Sequence, residues 1–215
     1  MKRLIALLVL AIIIAVNFYG AKSSNLQKED LSRKLIRFHV IANSDSEEDQ
    51  ELKLKVRDAI LVDLTPKFEK VKDVKDSERI IKQSIEEIKK VAEEVIRREG
   101  KNYDVKVAYG TFDFPTRYYG TITLPAGNYN ALKVVIGNGE GKNWWCVIFP
   151  PLCFIDVTHG FTDTQTAEEV AKYLSQDEME LLEKEKPKVK FKIVEIIEEY
   201  YNKFKVAWKA PERAL

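Results

Sequence analysis

The N-terminal segment constrains this chain most, because an uncharged apolar run stands directly behind two positive charges. Lys2 and Arg3 precede a strongly apolar stretch at positions 4–16. A stretch of that length is typical of an export signal and is shorter than the roughly 20 residues that span a bilayer. Continued to Ala21, the run becomes long enough for a tilted anchor. We therefore expect a signal peptide or a single-span membrane anchor at residues 1–21, with the remainder outside the cytoplasm.

The remainder is long enough for one domain with its own core. We expect a linker at residues 22–34, the exported domain at 35–208 and a short tail at 209–215. The whole chain has a formal net charge of +1, so its net charge does not favour binding to nucleic acid or to anionic surfaces. A membrane is expected to be contacted only through the N-terminal segment.

Hydrophobic periodicity indicates helices both before and after a group of strands. The first helix is expected to be capped by Asp45 or Ser46 and stopped by Pro66, and the second to end at Gly100. The predicted elements are a strand at 35–42, helices at 46–65 and 76–99, strands at 104–112, 118–124 and 130–136, a helix at 167–186, and a strand or helix within 189–204. This order predicts a single α+β domain in which helices pack on an antiparallel sheet.

Both cysteines of the chain lie in the string NWWCVIFPPLC, residues 143–153. Outside the cytoplasm two cysteines tend to oxidise, and the bend at Pro150 and Pro151 can bring the ends of this short segment together. We expect a disulfide between Cys146 and Cys153, worth roughly 2–3 kcal/mol in the chain-entropy account.

Two chemical alternatives for the cysteines stay open. A nucleophilic thiol would need His39 or His159 and an orienting group such as Asp163, Asn43 or Asn143, but the apolar neighbours of the cysteines do not favour a thiolate. A zinc site would need three or four nitrogen or sulfur ligands. We expect neither a metal nor a cofactor.

His39 beside Asp45 or Asp49 could also act alone as an acid–base group, although a histidine in a half-buried strand is more often structural.

If Trp144 and Trp145 lie on a strand, they point to opposite faces, since successive side chains alternate. One would then be in the core and the other exposed as a protein-binding anchor. The alternative is that both are buried under loops.

The strings IRFHVIANSDSEEDQELKLKVRDAI, residues 36–60, and GEGKNWWCVIFPPLCFID, residues 139–156, resemble the stage II sporulation protein R family. Members of this family are exported signalling proteins of endospore-forming bacteria. The resemblance implies synthesis in the forespore and export into the space between the two membranes. There the protein would be needed for a membrane-embedded aspartic protease to process pro-sigma-E.

The same resemblance implies a surface that contacts the partner and implies no catalytic residue. The candidate partner-binding positions are Asn43, Ser44, Asp45, Asp49, Gln50, Lys53, Arg57, Asp58, Asn143, Trp144, Trp145, Pro150 and Pro151. Two other functions remain as alternatives. One is a secreted hydrolase that uses a Cys/His or His/Asp site, and the other is an envelope module that binds peptidoglycan through aromatic side chains.

Overall fold

The computed structural model describes residues 31–69, 71–154 and 163–184. Strand β1 lies inside its main sheet, between two other strands. The described residues all belong to one compact unit, Met1–Glu185. The strands are β1 (Ile36–Ile41), β2 (Val105–Phe114), β3 (Arg117–Tyr119), β4 (Ile122–Leu124), β5 (Gly127–Ile136) and β6 (Asn143–Phe149). The helices are α1 (Glu47–Phe68), α2 (Val74–Arg98), α3 (Asp163–Ala171) and α4 (Gln176–Lys184). The α+β fold predicted from the sequence is confirmed.

The main sheet is mixed, with the order β2-β5-β1-β6. β1 pairs antiparallel with β6 and parallel with β5, which pairs antiparallel with β2. The expectation of a wholly antiparallel sheet is therefore wrong for one strand pair. The physical reason is the long crossover through α1, α2 and β2, because a connection that long allows β5 to run beside β1 in the same direction.

α1 and α2 cover one face of this sheet. Ser46 caps α1, since its side chain accepts a hydrogen bond from the backbone N–H of Asp49 at 3.3 Å. Asp73 caps α2 in the same way. α1 continues past Pro66 to Phe68, whereas the sequence predicted a stop at the proline. The core between helices and sheet includes Phe38, Val40, Val56, Ile60, Ile88, Leu132, Val134 and Ile148.

The opposite face is covered in part by the β3–β4 hairpin, α3 and α4, which share a second apolar cluster. The strand predicted at 118–124 is in fact this hairpin, which turns at Gly120 with a φ of 56°. The helix predicted at 167–186 is two helices. Ser175 and Glu178 form a capping box that starts α4, because each side chain bonds to the other residue's backbone N–H, at 3.4 and 2.8 Å.

Several expectations fall on residues that lie outside the described ranges. They are the export or anchor segment at 1–21, the linker up to residue 30, His159, the strand or helix within 189–204, and the tail at 209–215. Within the described ranges, no helix combines the length and the apolar character that a bilayer crossing requires.

Candidate interaction surface

The two segments that carry the family resemblance meet at one end of the sheet. We call this place the loop junction and define it as residues 43–46, which follow β1, and 137–142, which precede β6. Asn43 accepts a hydrogen bond from the backbone N–H of Asn138 at 3.0 Å, and Asp45 accepts one from that of Lys142 at 2.6 Å. Asp45 therefore braces the facing loop, while Ser46 is the helix cap.

Glycine makes the close approach of these loops possible. A Cβ at Gly141 would lie 2.2 Å from the carbonyl oxygen of Ser44, and one at Gly137 would lie 2.2 Å from Asn43 Oδ1. Gly137 also has a φ of 57°, in the region that residues with a side chain rarely adopt. The loops thus pack backbone against backbone, and the sequence pattern alone did not show this.

Asp49 ties the loop junction to α1. Its Oδ2 accepts from Ser44 Oγ at 2.6 Å and from Asn43 Nδ2 at 2.8 Å. Burial by itself would raise the pKa of Asp49, but the hydrogen bonds from Ser44 and Asn43 outweigh burial and hold this pKa below its ordinary value. The carboxylate therefore stays charged and keeps the segment after β1 in one conformation.

Gln50 and Lys53 extend the same network along α1. Gln50 Nε2 donates to the carbonyl oxygen of Ser44 at 2.9 Å, and Lys53 Nζ donates to Gln50 Oε1 at 2.7 Å and to the carbonyl oxygen of Lys142 at 3.0 Å. Burial and the nearby Arg57 lower the pKa of Lys53. These candidate residues use their polar groups inside the fold, so their part in a contact surface is to shape it.

Arg57 and Asp58 lie further along α1 and are both half-buried. The Arg57 Nε donates to Asp58 Oδ1 at 2.7 Å, and the guanidinium lies 4.9 Å from the ring centre of Trp144. Trp144 in turn packs edge-on against Phe38 on the helix side of the sheet. All of these side chains except the buried Phe38 are half-buried.

Trp145 lies on the other face of the sheet, as the alternation of strand side chains predicts. It stacks on His39 with ring centres 3.7 Å apart and an interplanar angle of 15°. His39 Nε2 lies 2.7 Å from Asn143 Oδ1, which fits a neutral imidazole with its proton on Nε2. Both tryptophans are half-buried, so the prediction of one core and one exposed indole is wrong. Each covers one face of the same edge strand.

His39 is held in its neutral form. Burial is the main cause that lowers the pKa of His39 to about 4, and the cations Lys133, Arg37 and Arg117 lower it further, while the hydrogen bond to Asn143 opposes the shift. An imidazole with this pKa is a poor base near neutral pH.

Cys146 and Cys153 are both buried and both belong to the core cluster on the helix side of the sheet. The structure carries them as thiols, and the disulfide stays a prediction. The peptide bond between Phe149 and Pro150 is cis, Pro150 is buried and Pro151 half-buried. The prolines thus turn the chain directly after β6 toward Cys153.

The candidate nucleophile and base of a hydrolase do not meet where the structure describes them. Cys146 is paired with Phe38 and faces the helices, while His39 is paired with Trp145 on the opposite face. His159 and the side chain of Asp163 lie outside the described part. No group of three or more His, Cys, Asp or Glu side chains within residues 31–69, 71–154 and 163–184 is arranged to hold a metal ion.

The sequence analysis missed Arg37, which is fully buried in the centre of the sheet. Its Nε donates to the carbonyl oxygen of Cys146 at 3.1 Å, and its Nη2 donates to the hydroxyl of Tyr119 at 2.8 Å. The guanidinium also lies 4.6 Å from the ring centre of Phe114 and 5.1 Å from that of Tyr129. The signal was present, since an arginine interrupts the apolar run that predicts β1.

Comparisons with known proteins agree with the resemblance. Residues 32–159 match the model of the family described as Stage II sporulation protein R. The protein named Stage II sporulation protein R from Bacillus subtilis (strain 168) is 40% identical over 140 residues, which are 65% of this chain and 62% of that relative. The chain thus covers less than two thirds of the relative's length. No solved structure matches it.

Proposed function

The chain belongs to the stage II sporulation protein R family, and from this premise we propose that it is an exported signalling protein of endospore formation. It leaves the forespore for the space between the two membranes. There it contacts a membrane-embedded aspartic protease, which then processes pro-sigma-E. Its own part is recognition, without catalysis.

One observation carries this proposal. The two segments of resemblance, 36–60 and 139–156, are separated in sequence by α2 and four strands, yet their described residues lie side by side at the loop junction and along β6. Hydrogen bonds within the fold fix this arrangement. A preorganised surface loses little conformational freedom when a partner binds, and this favours recognition by shape.

Activation by contact sets an energetic requirement. The protein must bind the active form of the protease more tightly than the inactive form, and a hundredfold change in population needs roughly 3 kcal/mol of difference. One or two well-packed aromatic or arginine contacts are of this size. The half-buried Trp144 with Arg57, and the half-buried Trp145, are suitable groups at the surface.

Co-expression tests the proposal directly. This chain would be produced with the aspartic protease and the sigma-E precursor of the same organism, and the precursor would be followed by immunoblotting. We expect the shorter, processed sigma factor only when all three proteins are present. Unchanged precursor in the presence of folded, exported protein would contradict the proposal.

A pair of histidine substitutions separates recognition from catalysis. If the protein acts by contact, His39→Gln with His159→Gln should retain much of the processing, because glutamine keeps a polar group near Asn143 and only the stacking of the His39 ring on Trp145 is lost. A hydrolase that depends on histidine would lose activity by orders of magnitude.

A further inference from the structure

The sheet face opposite α1 and α2 is a regular lattice of aligned side chains. From β2 through β5 and β1 to β6, two neighbouring rows contain Lys106, Val135, Ile41 and Asn143, and Ala108, Lys133, His39 and Trp145. We call these eight residues the open face. Lys106, Ala108 and Asn143 are exposed, His39 is buried, and the other four are half-buried.

The open face and the row next to it carry positive charge only. Lys106 and Lys133 lie within the open face, Arg37 occupies the next row, and Arg117 from β3 lies 5.4 Å from the ring centre of Trp145. No position of these three rows holds an acidic residue. Within the described part of the chain, none of the four cations forms an ion pair with a carboxylate.

Two lysines on the helix side of the molecule, by contrast, form ion pairs with glutamates. Lys55 pairs with Glu99 at 2.6 Å and Lys67 pairs with Glu87 at 2.6 Å. The chain is nearly neutral overall, so the absence of acids from these rows of the described sheet is a local arrangement. The same cations act within the fold, because Lys133, Arg37 and Arg117 add to burial in lowering the pKa of His39.

Two donors, one within the open face and one beside it, also lack acceptors among the described residues. They are Trp145 Nε1 and Arg117 Nε, both covered by neighbouring atoms. The two side chains as a whole are only half-buried. An indole N–H and a guanidinium N–H are both suited to a carboxylate oxygen.

We propose that the open face binds an acidic segment of the protease partner, in which pairs of carboxylate side chains alternate with pairs of apolar ones, so that an extended segment presents both kinds on the same side. The carboxylates would meet Lys106, Lys133 and Arg117, and the apolar side chains would pack on Val135 and Ile41. The inference rests on the proposed function. Asn143 and Ile41 connect the open face to the loop junction, so a single partner can cover both. Complementary charge of this kind raises the association rate and excludes wrong partners.

Charge reversal on the open face tests this inference. Lys106→Glu with Lys133→Glu would be compared with a matched control, Lys75→Glu with Lys90→Glu, whose lysines are exposed on α2. Both variants change the net charge equally. In the co-expression assay, we expect the open-face variant to lose at least tenfold in processing, whereas the control stays within twofold of the parent. The thermal unfolding midpoint of each purified variant would be measured alongside.

A second measurement needs no protease. The full protein would be titrated with a peptide in which pairs of glutamates alternate with pairs of leucines, flanked by serines for solubility, and separately with the corresponding peptide of lysine and leucine pairs. We expect NMR shifts at the amides of residues 106–108 and 133–135 with the acidic peptide only, and a loss of these shifts in high salt.

The outcomes are distinct. If the parent supports processing and the open-face variant supports it equally well, the inference is overturned. It is also overturned if the variant unfolds more easily and the acidic peptide causes no shifts, since the cations then serve the fold. If the parent itself supports no processing, the proposed function fails, and the titration alone decides whether this face binds acidic segments.

Discussion

At the scale of single residues, His39 shows how a titratable group becomes part of a surface. Its ring stacks on Trp145, and its Nε2 lies within hydrogen-bond distance of Asn143. Because burial, aided by the surrounding cations, lowers its pKa to about 4, the imidazole is neutral near pH 7. It therefore supports Trp145 as an uncharged, stacked ring.

His39 should make stability depend on pH. In the unfolded chain a histidine takes up its proton near pH 6.5, and in the folded chain His39 does so only near 4. The unfolded state therefore binds more protons within this window, and stability falls as the pH drops from 6.5 toward 4. We expect His39 to contribute about 1–3 kcal/mol to this loss, with allowance for its partial contact with solvent.

Unfolding by urea at pH 7.5 and pH 5 would measure this contribution. His39→Gln should lose less stability between the two values than the parent. An equal loss in the parent and in His39→Gln would contradict the assignment.

Sequence reasoning identified the polar residues after β1 and missed what they bind. Ser46 as a cap follows from its place before three acidic residues. The bonds from Asn43 and Asp45 to the facing loop join positions that are distant in sequence, and no local pattern contains such a pair. Arg37 was visible only as an interruption in a strand, because its ring neighbours come from three other strands.

At the scale of elements, the loop junction depends on the glycines of its second loop, residues 137–142. Gly137 and Gly100 both have a positive φ, of 57° and 73°. A Cβ would meet Asn43 at the first position and nothing within 4 Å at the second. A substitution at Gly100 therefore costs only the strain of the backbone, whereas one at Gly137 costs that strain and the displacement of Asn43.

Alanine at these two positions should have unequal effects. Gly100→Ala should lower the free energy of unfolding by about 1 kcal/mol, the cost of a side chain in this backbone region. Gly137→Ala should lower it by roughly 2–4 kcal/mol, because Asn43 must also leave Asn138 and Asp49. Denaturant titrations of both variants would measure this difference, and equal losses would show that the loops are not tightly packed.

Hydrophobic periodicity predicted the existence and type of most helices and strands. It did not predict where one long run divides into two shorter elements. β1, α1, α2, β2 and β5 lie close to their predicted positions. The β3–β4 turn and the break before α4 were missed, since each depends on one short signal, Gly120 and the Ser175–Glu178 box, within a longer periodic run. The parallel direction of β5 was not predictable, because strand direction is set by the whole crossover.

At the scale of the whole molecule, the expected export of the protein predicts that its two cysteines are oxidised to a disulfide. Protein recovered from the exterior should contain the Cys146–Cys153 bridge, and a reductant should lower its free energy of unfolding by roughly 2–3 kcal/mol. The double variant Cys146→Ser with Cys153→Ser should be insensitive to reductant. Mass spectrometry of non-reduced peptides would detect the link, and two separate thiols in exported protein would contradict it.

The position of β1 has a consequence for how the chain matures. Among the described residues β1 is the first strand, yet its neighbours β5 and β6 end at Ile136 and Phe149. More than half of the polypeptide can therefore be synthesised with its central strand still unpaired. The four-stranded sheet can therefore close only late in the synthesis of the chain, once β5 and β6 have both been made.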